Sequence, residues 1–222
     1  MTRFAVYFAP EDDTVLARIG WNWLGRRPGA TDYLPLPPDR AELVADARHY
    51  GFHATLKAPF RLAGQADESA LRAAMAVFAA HRPPFDLSLT LQDLHGFLAL
   101  RPAAPSAALD RLAADCVRGF DRFRAPLNDD ERRKRLSVRL TERQQAQVDG
   151  WGYPYVFDDF RFHMTLTRRL AETERAAIAA ELEPLFARAL AEPVAVRSLC
   201  LFRQEGARAP FVLAARYPFA AA

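Results

Sequence analysis

Hydrophobic and polar positions along the first third of the chain alternate with two different periods, which predicts strands interspersed with helices. A period of two over residues 3–9 is typical of a strand, and apolar residues at helical spacing predict a helix over residues 12–24. A proline-rich loop over residues 28–39 follows. Residues 50–60 then form a short predicted strand that Pro59 closes, because proline cannot donate to a strand ladder.

The rest of the chain repeats one order of elements twice. In the first half, Asp67 or Ser69 can cap a helix that Arg82-Pro83-Pro84 stops, and strands are predicted near residues 85–91 and 94–101. The second half predicts a helix over 106–123, a polar and helical segment over 129–150, an aromatic loop over 151–155, a strand over 159–168, a helix that ends at Glu192-Pro193, and strands near 194–202 and 211–217. We therefore expect one domain, residues 1–222, of two duplicated α+β lobes, approximately 1–104 and 105–222.

Composition and charge restrict the function classes. No apolar run approaches the roughly 18 residues of a spanning helix, so we expect a soluble, cytoplasmic protein without a signal peptide or membrane partner. The formal charge is only +3, although all but Lys57 and Lys134 of the 30 basic residues are arginines. Strong non-specific nucleic-acid binding is not expected at this charge. Cys116 and Cys200 have no nearby ligand cluster, which predicts two buried, reduced thiols rather than a disulfide or zinc site.

Two matching tetrapeptides carry the most specific chemical signal. His53-Ala-Thr-Leu56 and His163-Met-Thr-Leu166 lie 110 positions apart in a chain of 222 residues, each in the same place in its predicted lobe. Because strand side chains alternate, each histidine shares a face with the threonine two residues later. The opposite faces are apolar and should pack on helices, which leaves the histidine faces to line a groove between the lobes.

Two imidazoles and two hydroxyls in one groove suit chemistry on a phosphodiester. One neutral imidazole can accept the proton of an attacking water or hydroxyl while the other, protonated, donates to the leaving oxygen. Thr55 and Thr165 can donate hydrogen bonds to phosphate oxygens, and Lys57, predicted on the same face, could offset developing negative charge. This chemistry requires no metal and no cofactor. Which histidine is the acid and which the base stays open.

These residues resemble the 2H phosphoesterase superfamily, which is named for its paired His-x-Thr/Ser-x motifs. The resemblance covers both motifs and the duplicated order of elements, and it implies a bilobal, pseudo-two-fold α+β fold of antiparallel sheets with helices on the outer faces and a central groove. It also implies His53 and His163 as the catalytic pair. The segments Tyr50–Phe60, Arg124-Ala-Pro126, Trp151-Gly-Tyr-Pro-Tyr155 and 160–167 are similar to a bacterial branch associated with phosphonate-utilisation genes. That branch implies a cyclic phosphate of a phosphoribosyl sugar as substrate.

Further residues are candidates for binding a small phosphorylated substrate. Arg133, in the charged run 131–135, could belong to an arm that clamps a second phosphate, and Arg124 could serve likewise. Tyr153 could stack on a sugar or base. Two alternatives stay open. The first is an RNA 2′,3′-cyclic phosphodiesterase or tRNA-end ligase-like enzyme, which would need a nucleic-acid partner that the low net charge does not favour. The second is a module that binds RNA ends or a phosphorylated metabolite without turnover. The sequence says nothing about oligomeric state.

Overall fold

The chain folds as a mixed α+β protein with antiparallel sheets, as expected. The computed structural model describes residues 1–220. Within them the strands are β1 Thr2–Phe8, β2 Ala54–Phe60, β3 Phe85–Leu87, β4 Leu89–Leu94, β5 Phe97–Pro102, β6 Met164–Thr165, β7 Val194–Val196, β8 Ser198–Glu205 and β9 Val212–Pro218. The α-helices are α1 Val15–Leu24, α2 Pro38–Leu43, α3 Ala45–Tyr50, α4 Glu68–Ala80, α5 Ala107–Phe120, α6 Asp129–Arg135, α7 Glu142–Trp151 and α8 Glu172–Leu190.

Seven strands form one antiparallel sheet, and the strands that carry the two histidine motifs meet at its middle. The order is β4-β5-β6-β2-β1-β8-β9, while β3 and β7 pair separately. Ala54 of β2 lies opposite Met164 of β6. The sheet therefore consists of two groups of strands, β4-β5-β6 and β2-β1-β8-β9, which join where the two motifs lie side by side.

Each group of strands takes members from both halves of the sequence. The hairpin β4–β5, from the first half, pairs with β6, and the hairpin β8–β9, from the second half, pairs with β1. The two sides of the sheet therefore do not coincide with the predicted lobes, residues 1–104 and 105–222. The last hairpin of each half of the chain pairs with a strand of the other half. These pairings connect the two halves in addition to the β2–β6 contact.

One face of the sheet is covered by helices and contains the main core. Apolar side chains of α1, α4, α5 and α8 form one buried cluster with the sheet residues that include Val6, Ala54, Leu56 and Met164. A smaller buried cluster on the other side of β1 and β8 includes Tyr7, Phe202 and Phe211. The apolar faces of both motif strands thus pack on helices, and the histidine faces point the other way.

Gly20 of α1 allows close packing directly behind the first motif. A Cβ atom at this position would come within 2.1 Å of the Phe52 ring, which is a steric overlap. Phe52 is buried and immediately precedes His53. The helix and the motif strand can therefore approach to this distance only because position 20 carries no side chain.

Several predicted boundaries differ from the structure. The predicted strand over 159–168 is only two residues long. Leu166 still donates its backbone N–H to Leu98 of β5, but the Thr167 hydroxyl then accepts from the Leu98 N–H, and Arg168 donates to Leu43 outside the sheet. The predicted helix over 106–123 ends as α5 at Phe120 and continues as one 3₁₀ turn, Asp121–Phe123. The sequence pattern did not predict α2 and α3, two helices of six residues. No helix in residues 1–220 has both the length and the apolar character to cross a bilayer.

Candidate active site

The pairing of β2 with β6 places the two histidine motifs across from each other. Continuing the register from Ala54 and Met164 sets His53 opposite Thr165 and Thr55 opposite His163. Ala54 and Met164 are fully buried on the helix-covered face, so all four motif side chains lie on the opposite face. The two histidines are diagonal neighbours, whose backbones lie roughly 7–8 Å apart in such a pair.

Both imidazole rings are held in the same way. His53 Nδ1 lies 2.9 Å from the carbonyl oxygen of Gly51, and His163 Nδ1 lies 2.7 Å from that of Arg161. A carbonyl only accepts hydrogen bonds, so each Nδ1 carries the hydrogen, and each neutral ring has an Nε2 lone pair available. Thr55 Oγ1 lies 3.4 Å from His53 Nε2, which places a hydroxyl beside that lone pair.

The turn before His53 needs a glycine. Gly51 has φ of 84°, in the left-handed region, and an added Cβ would come within 2.9 Å of the Arg26 guanidinium. Arg26 is fully buried and donates to the carbonyl groups of Arg48 and His49. This buried arginine therefore fixes the backbone that presents the Gly51 carbonyl to His53.

An aromatic ring supports each histidine. The Tyr7 ring lies 4.0 Å from the His53 ring between centroids, and the Phe97 ring lies 5.9 Å from the His163 ring in an edge-on arrangement. Tyr7 comes from β1, beside β2, and Phe97 from β5, beside β6. The local pseudo-two-fold relation thus includes the neighbouring strands.

Both imidazoles are less basic than free histidine. The pKa of His53 is lowered to about 4, mainly by burial; the hydrogen bond to the Gly51 carbonyl opposes this, and the charges of His163 and Arg26 add to it. Burial also lowers the pKa of His163; the hydrogen bond to the Arg161 carbonyl opposes this, and the charge of Arg101 adds to it. In the unliganded protein both rings are therefore neutral at neutral pH.

The motif side chains open onto two adjoining cavities. The first, which we call the basic compartment, has a volume of about 280 Å³ and is lined by His53, Thr165, Arg3, Lys134 and Arg135, among others. The second, the aromatic compartment, has a volume of about 360 Å³ and is lined by side chains that include Phe97, Tyr155, Val156, Phe160 and Arg161. Thr55, Ala58, Tyr153 and His163 border both compartments. A bound phosphodiester at the histidine pair could therefore extend substituents in two directions.

Five predicted site residues line these cavities. They are His53, His163, Thr55, Thr165 and Tyr153. Their substrate contacts stay predictions.

The prediction that Lys57 faces the groove is wrong. Its ammonium group is buried and donates to Asp121 Oδ1 at 3.0 Å and to the Val117 carbonyl at 3.1 Å, on the side of α5. The pairing of β1 with β2 moves from Tyr7–Thr55 to Val6–Lys57, so Leu56 is an extra residue in the ladder. This bulge reverses the alternation, and Lys57 leaves the face that Thr55 occupies.

Arg124 and Arg133 also lie outside the two compartments. Arg124 makes two hydrogen bonds to the Asp121 carboxylate and one to the Gly150 carbonyl, and these bonds hold its guanidinium away from both cavities. The Arg133 side chain is 75% exposed and pairs with Asp130 on the same helix. The expectation that the 131–135 run contributes to the groove holds at Lys134 and Arg135 instead of Arg133.

The sequence did not predict Arg3 and Phe97 as cavity residues, and within the charged run 131–135 it singled out Arg133 rather than Lys134 or Arg135. Only the position of Arg3 was open to prediction, since residues 3, 5 and 7 alternate with the core residues of β1. Within residues 1–220, no three His, Cys, Asp or Glu side chains cluster as metal ligands.

The chain matches a protein family whose function is unknown. The model of the family described as "Protein of unknown function (DUF1045)" matches residues 55–212. Two curated relatives carry the name "Ribose 1,5-bisphosphate phosphokinase PhnN". The one from Janthinobacterium sp. (strain Marseille) is 42% identical over 99% of this chain and 51% of its own length, and the one from Laribacter hongkongensis (strain HLHK9) is 36% identical over 95% and 50%. The chain thus spans about half the length of these relatives.

Among solved structures, the chain is similar to E. coli LigT complexed with 3′-AMP. The TM-score is 0.45 and the sequence identity 16%, over 98% of both chains.

Proposed function

We propose that this chain, which belongs to the DUF1045 family, is a metal-independent cyclic phosphodiesterase that opens a small sugar or nucleotide cyclic phosphate to a monoester. The observation that carries the proposal is the pair of imidazoles on adjacent strands. Both rings are tied at Nδ1 to a backbone carbonyl, and both line the same cavity with Thr55 and Thr165. Concerted general acid–base catalysis at phosphorus uses two titratable groups near the reacting atom, one to accept a proton and one to donate a proton.

The geometry supports a step in which the two histidines have opposite tasks. His53 is the base, because its buried ring stays neutral: its Nε2 takes a proton from water as the water oxygen bonds to phosphorus. The bond from phosphorus to one ring oxygen of the cyclic phosphate breaks, and protonated His163 donates a proton from Nε2 to that oxygen. The product carries a phosphomonoester and a free hydroxyl, and solvent exchange restores both rings. Thr55 and Thr165 donate hydrogen bonds to the non-bridging oxygens.

Phosphoribosyl 1,2-cyclic phosphate is the substrate we favour. The matched relatives are named for a phosphokinase of ribose 1,5-bisphosphate, and this chain covers half of their length. Breaking the bond between phosphorus and O2 of phosphoribosyl 1,2-cyclic phosphate gives ribose 1,5-bisphosphate, the compound in that name. The sequence has no Gly-x-x-x-x-Gly-Lys-Ser/Thr motif, a common phosphate-binding motif of kinases, so we assign the kinase activity to the other half of the relatives. On this view the two halves catalyse consecutive reactions.

A 2′,3′-cyclic nucleotide is the second candidate substrate, and the aromatic compartment is the observation that favours it. Tyr153, Tyr155, Phe97 and Phe160 line this cavity and could stack on a base. An RNA end would require further contacts to phosphates along the strand and would make binding strongly dependent on salt.

Phosphorus NMR of the purified protein tests the proposal directly. In the presence of a chelator, the protein is expected to convert phosphoribosyl 1,2-cyclic phosphate to a species with two monoester resonances. Conversion of a 2′,3′-cyclic nucleotide alone would favour the second candidate. Saturable binding of both compounds without any product would instead support a non-catalytic module and overturn the proposal.

The pH dependence of kcat/KM is expected to be bell-shaped, with its maximum on the acidic side of neutrality. The acidic limb reports protonation of the base, whose pKa is about 4 in His53. The alkaline limb reports loss of the proton from the acid, His163, whose pKa lies below its usual value. Activity should therefore fall already as the pH rises through about 6.5, the unperturbed value. The maximum of the kcat profile is expected at a higher pH than that of kcat/KM, because the bound phosphate anion raises the pKa of both rings in the enzyme–substrate complex. A kcat/KM that is constant from about pH 5 to about pH 8 would contradict the paired roles.

A further inference from the structure

The basic compartment contains three cationic side chains that the cleavage step does not use. Arg3 of β1 and Lys134 and Arg135 of α6 line the cavity that also contains both histidines. Glu131 is the one acidic side chain in that lining, and Arg61 neutralises it with two hydrogen bonds of 2.9 Å. Because the histidines are neutral, the compartment has a net positive charge opposite the reacting site.

The three cations have donors left for a ligand. Arg3 uses Nε in a 2.7 Å hydrogen bond to Gln204, which leaves both terminal nitrogens. The Arg135 guanidinium lies over the Tyr153 ring, 4.9 Å from its centroid. Within residues 1–220, neither Arg135 nor Lys134 donates a side-chain hydrogen bond or forms an ion pair. Positively charged groups without a counter-ion at the wall of a cavity are expected where an anion binds.

Ion pairs from two neighbouring residues of α6, Glu131 and Arg132, hold Lys134 and Arg135 over the groove. Arg61, directly after β2, binds Glu131 in the first turn, and Arg61 also donates to the Pro126 carbonyl. Arg132 pairs with Asp149 of α7 through Nε at 2.9 Å. The helix is thereby attached to the motif strand on one side and to α7 on the other, which fixes the face that carries Arg135. A fixed guanidinium over a tyrosine ring loses little conformational freedom when it binds an anion.

We propose that Arg3, Lys134 and Arg135 form a binding site for a phosphate monoester on the same substrate molecule, so that the protein selects cyclic phosphates that carry a second, terminal phosphate. The inference rests on the proposed function, which assigns the cleaved phosphate to the histidine pair. It adds the residues that distinguish a doubly phosphorylated sugar from a nucleoside cyclic phosphate. The monoester, with up to two negative charges, meets three cations, whereas the cyclic diester with one charge meets the histidine pair and two hydroxyls.

The test compares two substrates in matched variants. The substrates are phosphoribosyl 1,2-cyclic phosphate and ribose 1,2-cyclic phosphate, which lacks the terminal phosphate. Arg135→Ala is expected to raise KM for the first about 10- to 100-fold, as for loss of a charge-assisted hydrogen bond, and to affect KM for the second much less. Arg133→Ala is the matched control, because it removes the same charge from the same helix at a position outside the cavity. Arg3→Ala and Lys134→Ala should act in the same direction as Arg135→Ala.

Each contrary result has a distinct meaning. If wild-type protein cleaves both substrates with equal kcat/KM, or if Arg135→Ala and Arg133→Ala have equal effects, the second phosphate site is refuted while the proposed function stands. Arg161 and Arg169 both line the aromatic compartment. Loss of discrimination in Arg161→Ala or Arg169→Ala instead would place the phosphate in that compartment and also refute the proposed site. If neither substrate is cleaved, the ribosyl cyclic phosphate is not the substrate, and turnover of a 2′,3′-cyclic nucleotide then decides the proposed function. Calorimetric titration with ribose 5-phosphate decides the second phosphate site independently. Binding that is weakened by Arg135→Ala and not by Arg133→Ala would support the site; equal or undetectable binding would refute it.

Discussion

Replacing either His53 or His163 with alanine is expected to lower kcat about a thousandfold, since each ring would perform one of the two proton transfers. The expected loss in the double variant is much less than the product of the single losses, because the two rings act as a unit. His81→Ala is a suitable control: this histidine is exposed at the end of α4 and lies away from both compartments. Activity that survives both single substitutions would overturn the assignment.

The two single variants should differ when the leaving group changes. A nitrophenyl phosphodiester has a leaving group that is stable without protonation, so it needs no general acid. With such a substrate the defect of His163→Ala is expected to shrink strongly, whereas the defect of His53→Ala should remain, because water must still lose a proton. The opposite result would exchange the roles of acid and base. Equal defects with both substrates would mean that the histidines bind the phosphate rather than transfer protons.

The sequence was sufficient to predict the histidine pair because its signal is local and repeated. Each motif combines a period of two with an apolar opposite face, and both properties follow from the strand alone. Burial of Leu56 and Met164 against helices confirms which face is inside. Pairing of the two strands with each other could not be deduced, because it depends on the exchange of hairpins between the two sides of the sheet.

Positions that depend on tertiary contacts were beyond the sequence pattern. The alternation that correctly placed Thr55 failed two residues later at Lys57, because the bulge at Leu56 is set by pairing with β1. All seven residues of α6 are charged, so the sequence gives no apolar stripe to identify the inner face. The ion pair between Arg61 and Glu131 decides that face, and it connects residues 70 positions apart. Arg133 and Arg135 were therefore indistinguishable until the fold was known.

The second large expected effect is on stability, and it arises from the buried Lys57 and its partly buried neighbours Asp121 and Arg124. Burial raises the pKa of the Asp121 carboxyl, but hydrogen bonds from Arg124 and Lys57 lower it by more, so the group is ionised. Burial lowers the pKa of Lys57, and the hydrogen bond to Asp121 opposes that shift. Each charge thus depends on the other to remain buried, and Arg124 also connects the cluster to Gly150 in α7, ahead of the loop that contains Tyr153.

Asp121→Ala is expected to lower the free energy of unfolding by about 3 kcal/mol, because it leaves the Lys57 ammonium buried without a counter-ion. Lys57→Met should cost less, since Asp121 keeps two hydrogen bonds from Arg124 and the apolar side chain fits among the neighbours of α5. Urea unfolding at several pH values provides the measurement. In Asp121→Ala the pKa of Lys57 falls further below its unfolded value, so the unfolded state binds more protons and stability must rise with pH towards about 10 more steeply than in wild type. Adding Lys57→Met to Asp121→Ala should remove that slope and recover part of the loss. A double variant that is less stable than Asp121→Ala, with its pH slope unchanged, would show that the buried ammonium is not the source of the cost.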